Sequence, residues 1–189
     1  MIQKRPILES QALKKLADLC AKGEHCSGEM LEKMCKWGLS EDAQARIMEK
    51  LITLHYVDDS RYTESFVHDK IRYNKWGRRK IEQALWMKKV DNAISSPILD
   101  AIEDEEYLEV LRPLLASKYR TIKAEGDYER SMKLIKFAMG RGFTMDLIRR
   151  CIDEGVRLQS DSSYHGPLVS DERMRMAMPT HQQRAYPVR

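Results

Sequence analysis

The chain is 189 residues long, with 33% charged and 42% hydrophobic residues and a formal net charge of +4. That length fits one or two ordinary domains or one short array of small helical units, and the composition describes half-exposed helices, not a membrane protein. No run approaches the ~18 apolar residues that a bilayer crossing needs, and Met1 to Ser10 carries Lys4 and Arg5 without an apolar stretch behind them, so the expected location is the cytoplasm.

The first predicted helix, Leu8 to Lys22, is amphipathic through Leu8, Ala12, Leu16 and Leu19 and stops near Gly23. Ser27 is placed to cap the second, Glu29 suits its positive end, and Gly38 follows its last turn, where a left-handed residue is needed. Ser40, backed by Glu41 and Asp42, starts a third helix running to about Leu54. Asp58 or Asp59 then caps a helix from about Arg61 to Asn74, with Arg61 placed to pair with Asp58 and with Tyr62, Phe66, Val67 and Ile71 facing inward.

Gly77 introduces the next helix, Arg78 to about Lys89, with Ile81 and Leu85 inside. Ser96 followed by Pro97 reads as a cap and first-turn pair, which predicts a late start for its successor and a short insertion around Asp91 to Ala93. An acidic stretch, Asp100 to Glu109, opens the following helix, where Pro113 removes a backbone donor and predicts a kink or break. Two further helices span about Asp127 to Arg141 and Thr144 to Glu154. From Val156 to Arg189 there are three of the six prolines and no sustained helical period, which predicts a poorly ordered tail.

An apolar template recurs along these elements. Met30, Met34, Leu39, Ala43, Ile47 and Leu51 flank a turn at Gly38; Leu134, Ala138, Phe143, Leu147 and Cys151 flank one at Gly142; Ile81, Leu85, Ile94, Ile98 and Ile102 repeat it with extra residues at the turn. A period near fifty residues containing several helices marks stacked helical units. The expected fold is therefore all-α: three tandem three-helix, helix-turn-helix-like repeats in an elongated array, over residues 7–56, 57–102 and 103–155, before the tail at 156–189. Their cores are expected around Met34, Leu85 and Ala138.

Charge is concentrated in the middle unit. From Lys70 to Lys89 the cations are Lys70, Arg72, Lys75, Arg78, Arg79, Lys80, Lys88 and Lys89 against Glu82 alone, a net of +7 in a chain of net +4. Arg78, Arg79 and Lys80 fall in the first turn of a helix, where the macrodipole disfavours cations by ~0.3–1 kcal/mol each. Phosphates are one explanation, because such contacts displace counterions. An acidic protein surface is another, and a solvated face balanced by the acids of Asp100 to Glu109 is the plain one. Trp76 and Tyr73, interleaved with the cations, could stack on bases or anchor packing.

Signs of catalysis are absent from the sequence. It contains no GxxxxGK[ST], no HExxH and no Gly-rich nucleotide loop. Cys20, Cys26, Cys35 and Cys151 form no CxxC pair; with His25, the first three could be imagined around zinc, but the spacing fits no common finger and free thiols are expected. Asp58 and Asp59 have no nucleophile or further ligand nearby and read as caps.

The string Val57-Asp58-Asp59-Ser60-Arg61-Tyr62 with Phe66-Val67, then Trp76-Gly77-Arg78-Arg79-Lys80-Ile81 with Leu85, and finally Arg141-Gly142-Phe143-Thr144 with Ile148, resembles the bacterial RecX regulatory proteins. The resemblance covers roughly Ala12 to Asp153. It implies a monomeric, cofactor-free and non-enzymatic partner of the RecA filament, in contact with single- or double-stranded DNA in some settings. Such a protein restrains filament growth, ATP hydrolysis and strand exchange, and so bears on recombination, repair and the SOS response. Lys89 departs from the pattern, standing where a glycine is expected, and the tail has no counterpart. The alternative is a transcription-factor type helix-turn-helix reader of DNA, and the third option is an adaptor that binds only protein.

Overall fold

The computed structural model describes residues 7–160. Among them are nine helices and no strand: α1 (Glu9–Cys20), α2 (Ser27–Lys36), α3 (Glu41–Thr53), α4 (Asp59–Arg72), α5 (Arg78–Met87), α6 (Asn92–Asp100), α7 (Asp104–Thr121), α8 (Asp127–Gly140) and α9 (Met145–Ser160). None of these helices is long and apolar enough to cross a membrane. In the first unit α1 and α2 both pack on α3; in the second α4 and α5 both pack on α6; α7 packs on α4 and α8.

The recurring template folds into one recurring turn. Gly38, Lys89 and Gly142 take left-handed φ values of 74°, 59° and 88°. The next residue then reaches back across the helix end: Leu39 N–H donates to Met34 O, Val90 to Leu85 O and Phe143 to Ala138 O, at 3.2, 3.2 and 3.3 Å. This is the Schellman closure, which satisfies orphan carbonyls and folds an apolar residue back over the last turn. Lys89 adopts the left-handed conformation in the position glycine holds twice, at a steric cost of ~1–2 kcal/mol for a residue with a Cβ. The helix before it therefore stops at the same place as in the other units.

Several expectations are corrected. Asp91, not Ser96, caps α6, its carboxylate accepting from Ala93 N–H at 2.9 Å, so there is no insertion before the helix. Pro97 lies inside α6, where the bond it forfeits would have ended on Ala93 O, an exposed residue whose carbonyl water can reach. This shifts the inward face by one residue: Ser95 and Leu99 are buried, with Ile94, Ile98 and Ile102 half-buried. Likewise α7 runs unbroken through Pro113, opposite the exposed Glu109. The helical period also outlasts Gly155, since α9 ends at Ser160; the remainder of the expected tail, 161–189, lies outside the described residues.

Buried apolar side chains form two clusters among the described residues, not three. One belongs to the first unit: Ala12, Leu16, Met30, Met34, Ile47 and Leu51, closed by Val57. The other is continuous from α4 into α9 and joins Ile81, Leu85 and Leu99 to Leu108, Leu111, Ala138, Phe143 and Ile148. Cys26, at the start of α2, is the one first-unit side chain in this second cluster.

Candidate functional site

The middle unit is held from both sides by turns and helix starts. Gly77 N–H donates to Arg141 O at 2.8 Å and Arg79 N–H to Gly142 O at 3.1 Å, so the free amides at the start of α5 end on the carbonyls of the α8–α9 turn. The same relation joins units one and two. Gly28, in the first turn of α2, lies so close to the α5–α6 turn that a Cβ there would stand 2.0 Å from Lys88 O. In units one and two the second helix thus starts against the left-handed turn of the following unit.

Side chains complete the first of these joints. Asp58 caps α4, accepting from Arg61 N–H at 3.0 Å, while Asp59 reaches α2 and accepts from Ser27 N–H at 2.7 Å and from the Ser27 hydroxyl. Ser27 is therefore the first residue of α2 rather than its cap, which is Cys26. The Arg61 guanidinium pairs with Glu24 at 2.8 Å and not with Asp58 as its spacing predicts, also donating to His55 O at 3.2 Å. Across the joint, Lys88 Nζ pairs with Glu29 Oε1 and lies over the Tyr62 and Phe66 rings at 5.7 and 5.8 Å, while His25 Nδ1 stands 2.6 Å from Glu29 Oε2. Burial raises the Glu29 carboxyl, but hydrogen bonds from Lys88 and His25 outweigh it and hold it below the ordinary carboxylate range. Burial pushes the Tyr62 phenol up to about 12.

The basic segment divides into structural and exposed cations. Arg78 is structural: it pairs with Glu82 at 2.7 Å and Asp100 at 2.5 Å and donates to Leu99 O at 3.1 Å, tying α5 to the end of α6. Lys88 is structural for the reasons above. Lys70 lies over Phe66 and Trp76 at 4.8 and 5.4 Å, and Lys80 over the same Trp76 at 4.8 Å. Trp76 is half-buried against the core, so it anchors packing and aligns two ammonium groups instead of offering a free face for a base. Lys75, itself at φ 54°, donates to Arg72 O, and Arg72 and Arg79 are exposed.

Sequence reasoning missed Arg141, which donates to Asn74 O at 3.2 Å and brings a cation of the third unit beside this ridge. The Arg-Gly-Phe string around Gly142 was its available signal. The amides of Gly77 and Arg79 end on two carbonyls of the α8–α9 turn, whose dipoles offset part of the positive end of α5 and so of the expected macrodipole penalty. Of the acidic stretch, Asp100 reaches the ridge through Arg78; Asp104 pairs with Arg150 at 3.0 Å and Glu106 with His68 at 2.8 Å.

The cysteines do not converge. Cys20 Sγ lies 3.8 Å from Met30 Sδ, Cys26 Sγ points at Lys88 O, and Cys35 Sγ at Gln44 Oε1. Among the described residues no group of three or more His, Cys, Asp or Glu is arranged to hold a metal ion.

Comparison with known proteins agrees with this arrangement. Residues 58–95 match the second three-helix domain of RecX and residues 104–152 its third. The chain is 32% identical over 149 residues to the regulatory protein RecX of Acinetobacter baylyi, covering 78% of the chain and 91% of that protein. It is 30% identical to RecX of Lactobacillus johnsonii and of Clostridium perfringens, but spans 46% and 62% of their lengths. A crystal structure of a regulatory protein RecX superposes with a TM-score of 0.71 at 19% identity, over 77% of this chain and 73% of that one. RecX from Lactobacillus salivarius superposes at 0.69 and 23%, over 77% and 95%. At those identities the superpositions speak for the fold.

Proposed function

The chain belongs to the RecX family of regulatory proteins, and from that premise we propose that it binds the RecA filament and restrains its growth, ATP hydrolysis and strand exchange, without being an enzyme. The observation that carries the reading is the ridge of α4 and α5. It presents Arg72, Lys75, Arg79 and Lys80 on a unit in which Arg78 engages Glu82 and Asp100, and it is braced by both neighbouring units. A rigid cationic face of this kind suits a polyanionic groove made of protein and DNA, where contact area does the work and no bond is broken.

A helix-turn-helix reader is less well supported. The third helix of the middle unit, the position of a recognition helix, is α6, whose sequence Asn-Ala-Ile-Ser-Ser-Pro-Ile-Leu-Asp contains no cation. The test is co-sedimentation with preformed recombinase filaments on single-stranded DNA, beside bare DNA at equal phosphate concentration. Preferential retention by filaments supports the proposal. Equal retention by bare DNA reduces the protein to a nucleic-acid binder.

A further inference from the structure

The two ends of α5 differ in chemistry. Its first turn belongs to the cationic ridge, whereas its last residues carry the most conspicuous exposed apolar pair in the middle unit: Trp86 is 77% exposed and Met87 69%. Trp86, Met87, Lys89 and Val90 line one shallow depression, with Val90 buried as its floor. At about 1.5 Å per residue, ten-residue α5 sets this shelf more than a full helical turn beyond the Arg79 end.

We propose that the Trp86–Met87 shelf is a protein-docking site that takes an apolar side chain flanked by carboxylates; on the reading above, on which this inference rests, that partner surface belongs to a subunit of the recombinase filament. Three observations argue for it. A tryptophan and a methionine side by side form an adaptable apolar seat of the type enriched at the energetic centres of protein interfaces, whereas a nucleic-acid track needs repeated cations: Arg78, Arg79 and Lys80 lie at the other end of the helix, and Lys88 is taken up by Glu29. Of the nearby acids, Glu82 pairs with Arg78, Glu32 with Lys36 and Asp91 caps α6, and Lys89 adds a cation to the rim. Lys89 itself holds a left-handed backbone at φ 59° where the other two units use glycine. Its side chain is exposed at the rim, where a contact with the partner offsets the backbone strain.

Because Trp86 and Met87 are exposed, replacing them leaves the cores intact, and Lys89→Gly relieves backbone strain. The test uses the full chain and measures binding to preformed recombinase filaments and, separately, to bare single-stranded DNA. Trp86→Ala with Met87→Ala should weaken filament binding at least tenfold while leaving melting temperature within a few degrees and bare-DNA affinity within twofold of the parent. Lys89→Gly should weaken filament binding several-fold with an equal or higher melting temperature. Trp86 emission should shift to the blue on docking, assigned by its loss in Trp86→Phe.

Unchanged filament affinity in the double variant overturns the docking site while the regulatory reading stands. An equal loss on bare DNA assigns the shelf to nucleic acid and also overturns it. Failure of the parent chain to bind filaments overturns both.

Discussion

Gly77 and Gly142 meet backbone to backbone. A Cβ on Gly77 would stand 2.4 Å from Gly142 C and Phe143 N, and a Cβ on Gly142 2.4 Å from Lys80 N. Alanine at either position forces the second and third units apart at the point where they share a core. Gly77→Ala should cost about 1–3 kcal/mol from overpacking, and Gly142→Ala more, because its φ of 88° adds left-handed strain. Urea unfolding checks this; a loss at Gly77 no larger than at Gly126, where a Cβ meets nothing within 4 Å, would contradict the junction.

The Glu29–Lys88 pair should couple more strongly than an exposed one. Their side chains are 23% and 31% exposed, against 60% and 70% for Glu32 and Lys36. A double-mutant cycle is expected to give about 1 kcal/mol or more for the first pair and ~0.3–0.5 for the second, the usual helix-surface value. Because Glu29 has a depressed carboxyl pKa in the folded chain, its contribution is present above the ordinary carboxylate range and drains away as pH falls through and below 4.5. Acid titration of Glu29→Gln should accordingly show less loss over that window than the parent.

Arg78 and Arg79 should part company on substitution. Arg78→Ala removes contacts to Glu82, Asp100 and Leu99 O and is expected to cost about 1–2 kcal/mol of stability. Arg79→Ala, on the exposed side, should stay within about 0.5 kcal/mol yet weaken filament or DNA binding and flatten its salt dependence. Equal stability losses for the two would mean that Arg79 is as structural as Arg78.

Two tyrosines should ionise late. Tyr62 and Tyr107 are each pushed up to about 12, chiefly by burial, and the Tyr107 hydroxyl is buried without a hydrogen-bond partner among the described residues. A raised folded pKa means that the stabilisation is complete below about pH 10, the ordinary phenol value, and is lost as pH climbs towards 12. Absorbance titration at alkaline pH, with circular dichroism alongside, should resolve a late phase that coincides with unfolding. A single step for all eight tyrosines near pH 10 with native dichroism would count against it.

What could be read from the chain was what is local. The template around Gly38 and Gly142 is a spacing of a few residues, and its core positions Met34, Leu85 and Ala138 are the very carbonyls that close the three turns. The start of α6 misled because Ser96-Pro97 and Asp91 are both sound cap signals, and the choice is decided by burying Leu99 and Ser95 against α4 and α5. Spacing pairs Arg61 with Asp58 three residues away, and its amide does bind Asp58, yet its guanidinium pairs with Glu24, 37 residues off, as Ser27 is 32 from Asp59. Pairings between units depend on how the units stack, which no single unit encodes. The same limit hid Arg141 and made Arg78 and Lys88 look like free cations.

Restraint of the filament is read in recombinase ATP hydrolysis on single-stranded DNA. The chain should be titrated into preformed filaments, at several excesses of free DNA. A bound modulator that stops growth at filament ends acts on many subunits at once, so inhibition should appear well below one molecule per recombinase subunit and persist when DNA is added. Inhibition that needs near-stoichiometric protein and vanishes with added single-stranded DNA would instead mark a plain nucleic-acid binder, because a cationic ridge that merely competes for phosphate behaves in that way.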